Sequence, residues 1–397
     1  MYLRILHVIE TVNPKTGGPI EGVLQQAKAH AACGHMVEIV SNDSSDITGI
    51  PIPNFQTYFI RNKRKDSIFY RSLYTWVRSN CQNYDCVIVN GIWGFLPLVV
   101  KLALDGTDIP YFVFTHGMLD PWFKRKYPLK HLKKWLVWPW AVYPALRDAE
   151  AVFFTCEQEK LLARQSFWLY DCHESVIKYG TEGIPNPNVD CSTLFLEAHP
   201  LLLGKRIFLF LGRVHIKKGP DLLVKTIVKL KKEGLWDSDK MRLVFAGPND
   251  NSYAKKIKKL SERVGVSNSI YWTGMVSGNQ KWGAFQSAEA FVLPSHQENF
   301  GIAVAEALSC GTPVMISTAV NIAEFIKNDC AGLVQQDTLD GTYKLFQHWF
   351  ALSTADKASM AIAARNCFKN RFHISLTASS IQQEILLALL VRSVIKH

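Results

Sequence analysis

Ala290-Phe291-Val292-Leu293-Pro294-Ser295-His296-Gln297-Glu298-Asn299-Phe300-Gly301-Ile302-Ala303-Val304-Ala305-Glu306-Ala307-Leu308 passes from a four-residue apolar run, through a polar loop, into small and apolar residues at helical spacing. The run reads as a buried strand ending at Pro294. The pattern after the loop predicts a helix from near Phe300. Glu298 then falls in the loop at the strand's carboxyl end, and Glu306 within the first two turns of the helix. Helical side chains lean toward the amino terminus, so both carboxylates can face one crevice. Gly301 permits close backbone approach, and the helix start at Asn299, Phe300, Gly301 and Ile302 offers N–H groups that fit phosphate oxygens. An ionised carboxylate only accepts hydrogen bonds, which suits sugar hydroxyls. Taken singly, each glutamate also reads as an ordinary charge near a helix start. Glu306, however, lies amid Ala303, Val304, Ala305, Ala307 and Leu308, a face expected to be buried, where a carboxylate needs a partner.

About eighty residues upstream stands a second βα signal, the strand Arg206-Ile207-Phe208-Leu209-Phe210-Leu211 followed by Gly212-Arg213-Val214-His215-Ile216-Lys217-Lys218-Gly219. Arg213 sits at the strand's carboxyl end and Lys218 at a Lys-Gly turn into the next helix. A guanidinium fork and an ammonium point charge can hold a diphosphate there, although an ordinary basic loop has the same look. Two carboxylates for hydroxyls and two cations for phosphates together read as a site for a nucleotide-sugar.

The same alternation of short apolar runs and amphipathic segments fills the chain, which argues for βα units and parallel sheets. Strands are predicted near 3–9, 37–41, 86–90, 111–115, 151–155 and 175–179, and again near 206–212, 241–246, 269–273, 289–293, 312–317 and 331–334. Six and six imply two similar domains, with Gly183-Ile184-Pro185-Asn186-Pro187-Asn188 as a hinge. In doubly wound sheets ligands collect at the carboxyl ends of strands. Arg213, Gly247, Gly274 with Met275, and Glu298 all follow strands of the second half. Gly17 and Gly18, ahead of a helix, and His116, before Gly117, follow strands of the first. Gly17-Gly18-Pro19 reads equally as a tight turn, and a lone histidine such as His116 is often structural.

On these residues the chain resembles family 4 of the retaining glycosyltransferases. The resemblance is carried by the spacing of Gly212-Arg213 to Lys218-Gly219 and by Glu298 and Glu306 flanking Phe300-Gly301. It covers nearly the whole chain, most strongly residues 206–335. It implies an α/β fold of GT-B architecture, two facing Rossmann-like domains with a cleft between them. The expected bounds are 1–183 for an acceptor-side domain, 184–200 for a linker, 201–374 for a donor-side domain, and 375–397 for a terminal helix returning to the first domain. It implies transfer of a sugar from a nucleoside diphosphate, with Arg213 and Lys218 on the diphosphate, Glu306 on the ribose and Glu298 on the sugar. It further implies that the Gly17-Gly18 loop closes over the donor and that His116 touches the donor sugar. Gly247, Gly274 and Met275 would meet the base through their backbone. UDP-glucose is the expected donor. Where the family commonly carries a Gly-Gly pair before a glutamate, this chain has Ser317-Thr318-Ala319-Val320-Asn321-Ile322-Ala323-Glu324, so contact with the sugar is expected to differ. A nucleotide-sugar epimerase or hydrolase on the same fold, or a non-enzymatic basic surface-binding module, are the competing readings.

No metal is expected in the reaction. Asp237-Ser238-Asp239 has the spacing of a metal-binding pair, but it precedes a predicted strand rather than following one. Nine cysteines show neither a CxxC pair nor Cys/His ligand spacing, and Cys33, Cys86, Cys156, Cys310 and Cys330 read as reduced, buried residues of a cytoplasmic protein. No uninterrupted apolar run reaches the ~18 residues that span a bilayer. The net charge is +11 over 397 residues, and its clearest cluster is Lys124-Arg125-Lys126 with Lys130, Lys133 and Lys134. Trp135, Trp138 and Trp140 follow at once. Basic residues beside tryptophans suit an anionic bilayer surface, so residues 124–140 are expected to touch the inner face of the membrane peripherally. A solvated helix face over buried tryptophans is the plainer account. The expected partners are a nucleotide-sugar donor and a saccharide or lipid-linked acceptor, as in exopolysaccharide or cell-envelope glycan synthesis. Two carboxylates in the site argue against nucleic acid.

Overall fold

A computed structural model describes residues 1–13, 18–43, 55–60 and 70–395. The chain divides into two compact units, Met1–Gly180 with Ile374–His397, and Thr181–His373. Each is a parallel sheet wound with helices.

The first sheet has seven strands: β1 Arg4–Ile9, β2 Met36–Ser41, β3 Thr57–Phe59, β4 Cys86–Asn90, β5 Tyr111–Phe114, β6 Ala151–Phe154 and β7 Glu174–Val176. Their order is β3-β2-β1-β4-β5-β6-β7. The second has six: β8 Arg206–Leu211, β9 Met241–Ala246, β10 Ile270–Gly274, β11 Ala290–Leu293, β12 Val314–Ser317 and β13 Gly332–Gln335, in the order β10-β9-β8-β11-β12-β13. The central strands read as unbroken apolar runs because helices cover both faces of a parallel sheet. Ile207, Phe208, Leu209 and Phe210 are at most 1% exposed, and burying each such side chain contributes roughly 1.5–3 kcal/mol.

Twelve of the thirteen strands fall where the sequence places them, within two or three residues. The exception is β3, an edge strand of three half-buried residues that pairs only with β2. It is too short to show a period, and it follows Pro51 and Pro53.

Residues 184–200 are not a free linker but part of the second unit. Cys191 N–H donates to Gln286 Oε1 at 2.7 Å, and Ile184 N–H to Ser309 Oγ at 3.0 Å. The helix Ser192–Ala198 packs so closely on the helix Gly278–Gln286 that a Cβ on Gly283 would stand 2.2 Å from the Cys191 carbonyl oxygen.

The terminal helix Ile374–Ile395 belongs to the first unit. Arg392 grips Glu150 with two nitrogens at 3.0 and 2.8 Å and donates to the Asp108 carbonyl. Its stretch Ile374–Val394 averages a hydropathy of 1.5, long and apolar enough by length and composition to cross a membrane, with 33% of that window buried. It contains no unbroken apolar run of that length, because Ser379, Ser380, Gln382, Gln383 and Glu384 interrupt the pattern. Of the five cysteines read as buried, Cys86, Cys156 and Cys310 are; Cys33 and Cys330 are exposed, each in the turn that follows a helix.

At the amino-terminal edge of the second sheet, Glu289 accepts from Arg206 at 2.6 and 2.7 Å, Trp349 Nε1 at 2.8 Å and Lys357 at 3.2 Å. Burial works to raise its pKa, but these donors and the Arg206 charge outweigh it and bring the carboxyl down to about 2 from an ordinary 4.5. A depressed folded-state pKa means the stabilisation is full above about pH 4.5 and is lost as pH falls toward 2. Glu289→Gln should therefore flatten the pH dependence of stability across that window and cost on the order of 2–3 kcal/mol at pH 7. Denaturant melts of both proteins between pH 2 and 7 measure this; parallel curves would refute it.

Candidate active site

The winding direction of the second sheet reverses between β8 and β11, which are neighbours. The two loops that leave their carboxyl ends touch directly. After β8 the chain turns through Gly212, at φ 141°, and exposes Arg213. It then buries Val214 and makes one tight turn over Ile216–Lys218. Gly219, at φ 63°, leads into the helix Pro220–Lys232; a Cβ on it would lie 2.3 Å from the Pro294 carbonyl oxygen of the loop after β11. His296 N–H donates to the Lys217 carbonyl at 2.8 Å. Across this junction Lys218 Nζ meets Glu298 Oε2 at 2.7 Å, with both side chains less than a fifth exposed.

Burial works to raise the Glu298 pKa. The charges of Lys218, Lys217 and Arg213, with the Lys218 hydrogen bond, outweigh it and hold the carboxyl below the usual range. The segment that lacks the glycine pair is what fixes Glu298 in place. Glu298 N–H donates to the Ala319 carbonyl at 3.1 Å, and Asn321 N–H to the Glu298 carbonyl at 3.0 Å. Asn321 Nδ2 also reaches Asn299 Oδ1 at 3.4 Å, while Glu324 points to solvent.

The helix after this loop begins at Ile302, one turn beyond Glu298, with Gly301 as its cap at φ 79°. Ile302 is half-buried. Phe300 turns inward, 4% exposed and edge-on to Phe372, so only its backbone faces the loop. Glu306 is buried as expected and takes Lys281 Nζ on Oε1 at 2.8 Å. Lys281 lies on the helix Gly278–Gln286 that follows β10, its ammonium also 4.2 Å from the Trp282 ring centre. Nothing in the sequence announces this partner, which sits on another helix.

The loops after β9 and β10 complete the row. Gly247, at φ 132°, lies against Gly212; a Cβ there would be 2.4 Å from the Gly212 carbonyl oxygen. Gly247 N–H donates to the Gly274 carbonyl at 2.7 Å. Gly274 has open space before it, and Met275 is 71% exposed. Arg213, Lys218, Gly247, Gly274, Glu298 and the helix start at Gly301 thus share the carboxyl edge of one sheet. Asp237 and Asp239 lie at the amino end of β9, the opposite edge, where Lys240 stands 3.6 Å from Asp237. Among the described residues no group of His, Cys, Asp or Glu is arranged to hold a metal ion.

In the first unit His116 follows β5 and is half-buried in a left-handed conformation, φ 48°. Its ring stacks on Phe114, centroids 4.6 Å apart, and Nε2 meets Asn90 Oδ1 at 3.1 Å. Burial lowers its pKa to about 4, so the ring is neutral near pH 7. Asn90 ends β4, and nothing in the sequence marks it as a partner of His116. Gly18 begins the helix Gly18–Ala32; Gly17 lies outside the described residues.

Residues 17–171 match the family described as glycosyl transferase 4-like domain, and residues 194–341 the family described as glycosyl transferases group 1. The chain thus carries two segments that each match a glycosyltransferase domain family. It is similar to an uncharacterised glycosyltransferase of Methanocaldococcus jannaschii, 30% identical over 129 residues, 32% of this chain and 31% of that protein. It is also similar to the D-inositol 3-phosphate glycosyltransferase of Xylanimonas cellulosilytica, 29% identical over 144 residues, 36% of this chain and 33% of that one. Each match thus spans about a third of the relative's length. Among solved structures, HepE of Anabaena in complex with UDP and glucose superposes with a TM-score of 0.73 at 17% identity, covering 96% of this chain and 99% of that one. The fold is therefore of the GT-B class, with two parallel-sheet Rossmann-like domains and a C-terminal helix.

The contact of Gly247 with Gly212 leaves no room for a methyl group, and its φ favours glycine. Gly247→Ala should push the loop after β9 away from Gly212. Unfolding should shift by roughly 1–3 kcal/mol, and nucleoside diphosphate affinity should fall at least tenfold. Thermal melts with and without UDP test both; unchanged UDP binding would remove Gly247 from the site.

Proposed function

We propose that this chain transfers a sugar from a nucleoside diphosphate to a saccharide or lipid-linked acceptor, with retention of configuration and without a metal ion. The observation that carries the reading is the Lys218–Glu298 contact across the point where the second sheet reverses, with Arg213 exposed beside it. In open α/β sheets ligands bind at this point.

The transfer breaks the bond between the anomeric carbon and the diphosphate oxygen, and negative charge builds on the diphosphate. Arg213, Lys218 and the N–H groups at the start of the helix Ile302–Ser309 stabilise it. Lys218 then leaves a one-to-one pairing with Glu298 for one shared with phosphate, and Glu298 has an oxygen to offer a sugar hydroxyl. Glu306, held by Lys281, accepts from the ribose hydroxyls. The acceptor oxygen forms the new bond on the same face, and its proton passes to the departing phosphate. His116 serves a sugar hydroxyl. The family domains and the UDP and glucose bound by HepE support UDP-glucose as the donor.

Polysaccharide synthesis at the inner face of the membrane fits the surface around residues 122–140. The helix Pro128–Trp135 buries none of its residues. Leu129, Leu132 and Leu136 are 77, 64 and 73% exposed, in a row at helical spacing, and Trp140 and Trp168 are exposed with them. Lys124, Arg125, Lys126, Lys130 and Lys133 are exposed around this row, whereas Lys134 folds back onto Trp93 at 3.7 Å and Trp138 is fully buried. Apolar side chains ringed by cations match an anionic bilayer interface.

Arg213→Ala should lower turnover of UDP-glucose ~10²–10³-fold with an unchanged melt, and activity should persist in excess EDTA. Glu306→Gln should weaken UDP binding, while Glu298→Gln should spare it and relax discrimination among sugars. Calorimetry with UDP and with UDP-glucose separates the two; equal losses would sink the division of roles, and abolition by EDTA the metal-independent mechanism. For the surface, replacing Lys124, Arg125 and Lys126 by Gln should weaken flotation on phosphatidylserine vesicles roughly a hundredfold, at about 1 kcal/mol per charge. Binding that ignores both this change and added salt would leave no electrostatic role for the patch.

A further inference from the structure

The first unit holds a buried carboxylate that the transfer itself does not use. Glu159, 4% exposed, is the third residue of the helix Glu157–Ala163 after β6. Its Oε1 accepts from Thr115 Oγ1 and from Gly117 N–H, both at 2.6 Å. Its Oε2 accepts from Thr155 N–H and Thr155 Oγ1, both at 2.7 Å. All four partners are donors, a set that a carboxylate satisfies and a carboxamide nitrogen cannot. The two donors on Oε1 stand on either side of His116. His116 and Gly117, at φ 48° and 73°, are consecutive left-handed residues. A histidine keeps such a conformation only where its surroundings hold it. Glu159 closes a loop around that one residue and anchors it to the neighbouring strand.

The ring is held separately. Asn90, 3% exposed, directs Nδ2 at the carbonyls of Val8 and Ile88, at 3.4 and 3.2 Å, and at His7 Nδ1, at 3.2 Å. Carbonyls only accept, so this side of the amide is the NH₂ group. The oxygen facing His116 is then an acceptor, and His116 Nε2 must carry the proton that meets it. A neutral ring with its proton on Nε2 has a lone pair on Nδ1, for which no hydrogen bond is found among the described residues.

We propose that Glu159 and Asn90 are positioning residues that present His116 Nδ1 as a hydrogen-bond acceptor to a hydroxyl of the sugar substrate; this rests on the glycosyl-transfer reading above. Glu159 sets where the ring stands, and Asn90 sets which nitrogen is protonated. A nitrogen so fixed accepts from a hydroxyl and repels a carboxylate oxygen at the same place, which favours a neutral sugar over a uronic acid.

The test begins with the ring itself. In the full chain labelled with ¹⁵N-histidine at pH 7, the resonances lost in His116→Gln identify its ring. They should show Nε2 protonated and Nδ1 bare. A proton on Nδ1 overturns the proposal. In Glu159→Gln, the His116 ring should lose its single tautomer while the other buried histidines keep theirs; an unchanged His116 ring removes Glu159 from the role. Thr115→Val, which deletes one donor and spares the carboxylate, gives the same readout should Glu159→Gln not fold. Turnover of UDP-glucose then supplies a double-mutant cycle. A displacement of about 1 Å can cost ~10²-fold in rate, so Glu159→Gln should lower kcat by one to two orders of magnitude in the native background and by less than twofold in His116→Gln. An equal loss in both backgrounds makes Glu159 merely structural. Full activity of His116→Gln instead refutes the substrate contact of His116, while the ring spectra still show whether Glu159 holds it.

Discussion

Parallel pairing forces every strand of a sheet to release its chain at the same edge, and between β8 and β11 the winding of the second sheet reverses, the kind of point at which open α/β sheets bind ligands. The rest of the second unit's chemistry follows from that constraint. Arg213 and Lys218 leave one strand and Glu298 leaves its neighbour, so residues eighty apart in sequence meet at 2.7 Å. The first unit repeats the geometry with different residues. There the order reverses between β1 and β4. Asn90 closes β4 and His116 follows β5, with the helix from Gly18 beyond β1.

The two edges of the second sheet show how similar residues serve opposite ends. At the amino edge, Glu289 is answered by Arg206, Lys357 and the indole of Trp349. Four hydrogen bonds from three side chains close around its two oxygens. At the carboxyl edge, Glu298 is answered by Lys218, and Arg213 stands exposed with Lys217 near it. Positive charge is in excess there. A closed set of partners suits stability, and an excess of one sign suits an anionic ligand.

Much of this was legible in the sequence, because parallel strands advertise themselves as apolar runs and the residues after them are the ones exposed at the edge. Arg213, Lys218, Gly247, Gly274, Glu298 and Glu306 could all be placed that way. Strand β3 could not, since three residues carry no period. Lys281, Asn90 and Glu159 escaped for a different reason. Each acts on a residue from another element, and neither spacing nor residue type marks a lysine on a surface helix, or a glutamate in a first helical turn, as a partner. Phe300 joins the site in the sequence only through its N–H at the helix start, and its neighbours Asn299 and Gly301 give no sign that its ring turns into the core. Cys33 and Cys330 misled in the same way, since apolar neighbours in sequence do not bury a residue at a helix end.

The helix Ile374–Ile395 sits with residues that precede it by more than two hundred positions, tied by Arg392 to Glu150. During translation the first unit therefore emerges lacking its final element, and the whole second unit must leave the ribosome before that element exists. The apolar face that the terminal helix will cover stays open for as long as residues 181–373 take to be made. The order in which the two units become complete thus runs opposite to the order in which they begin.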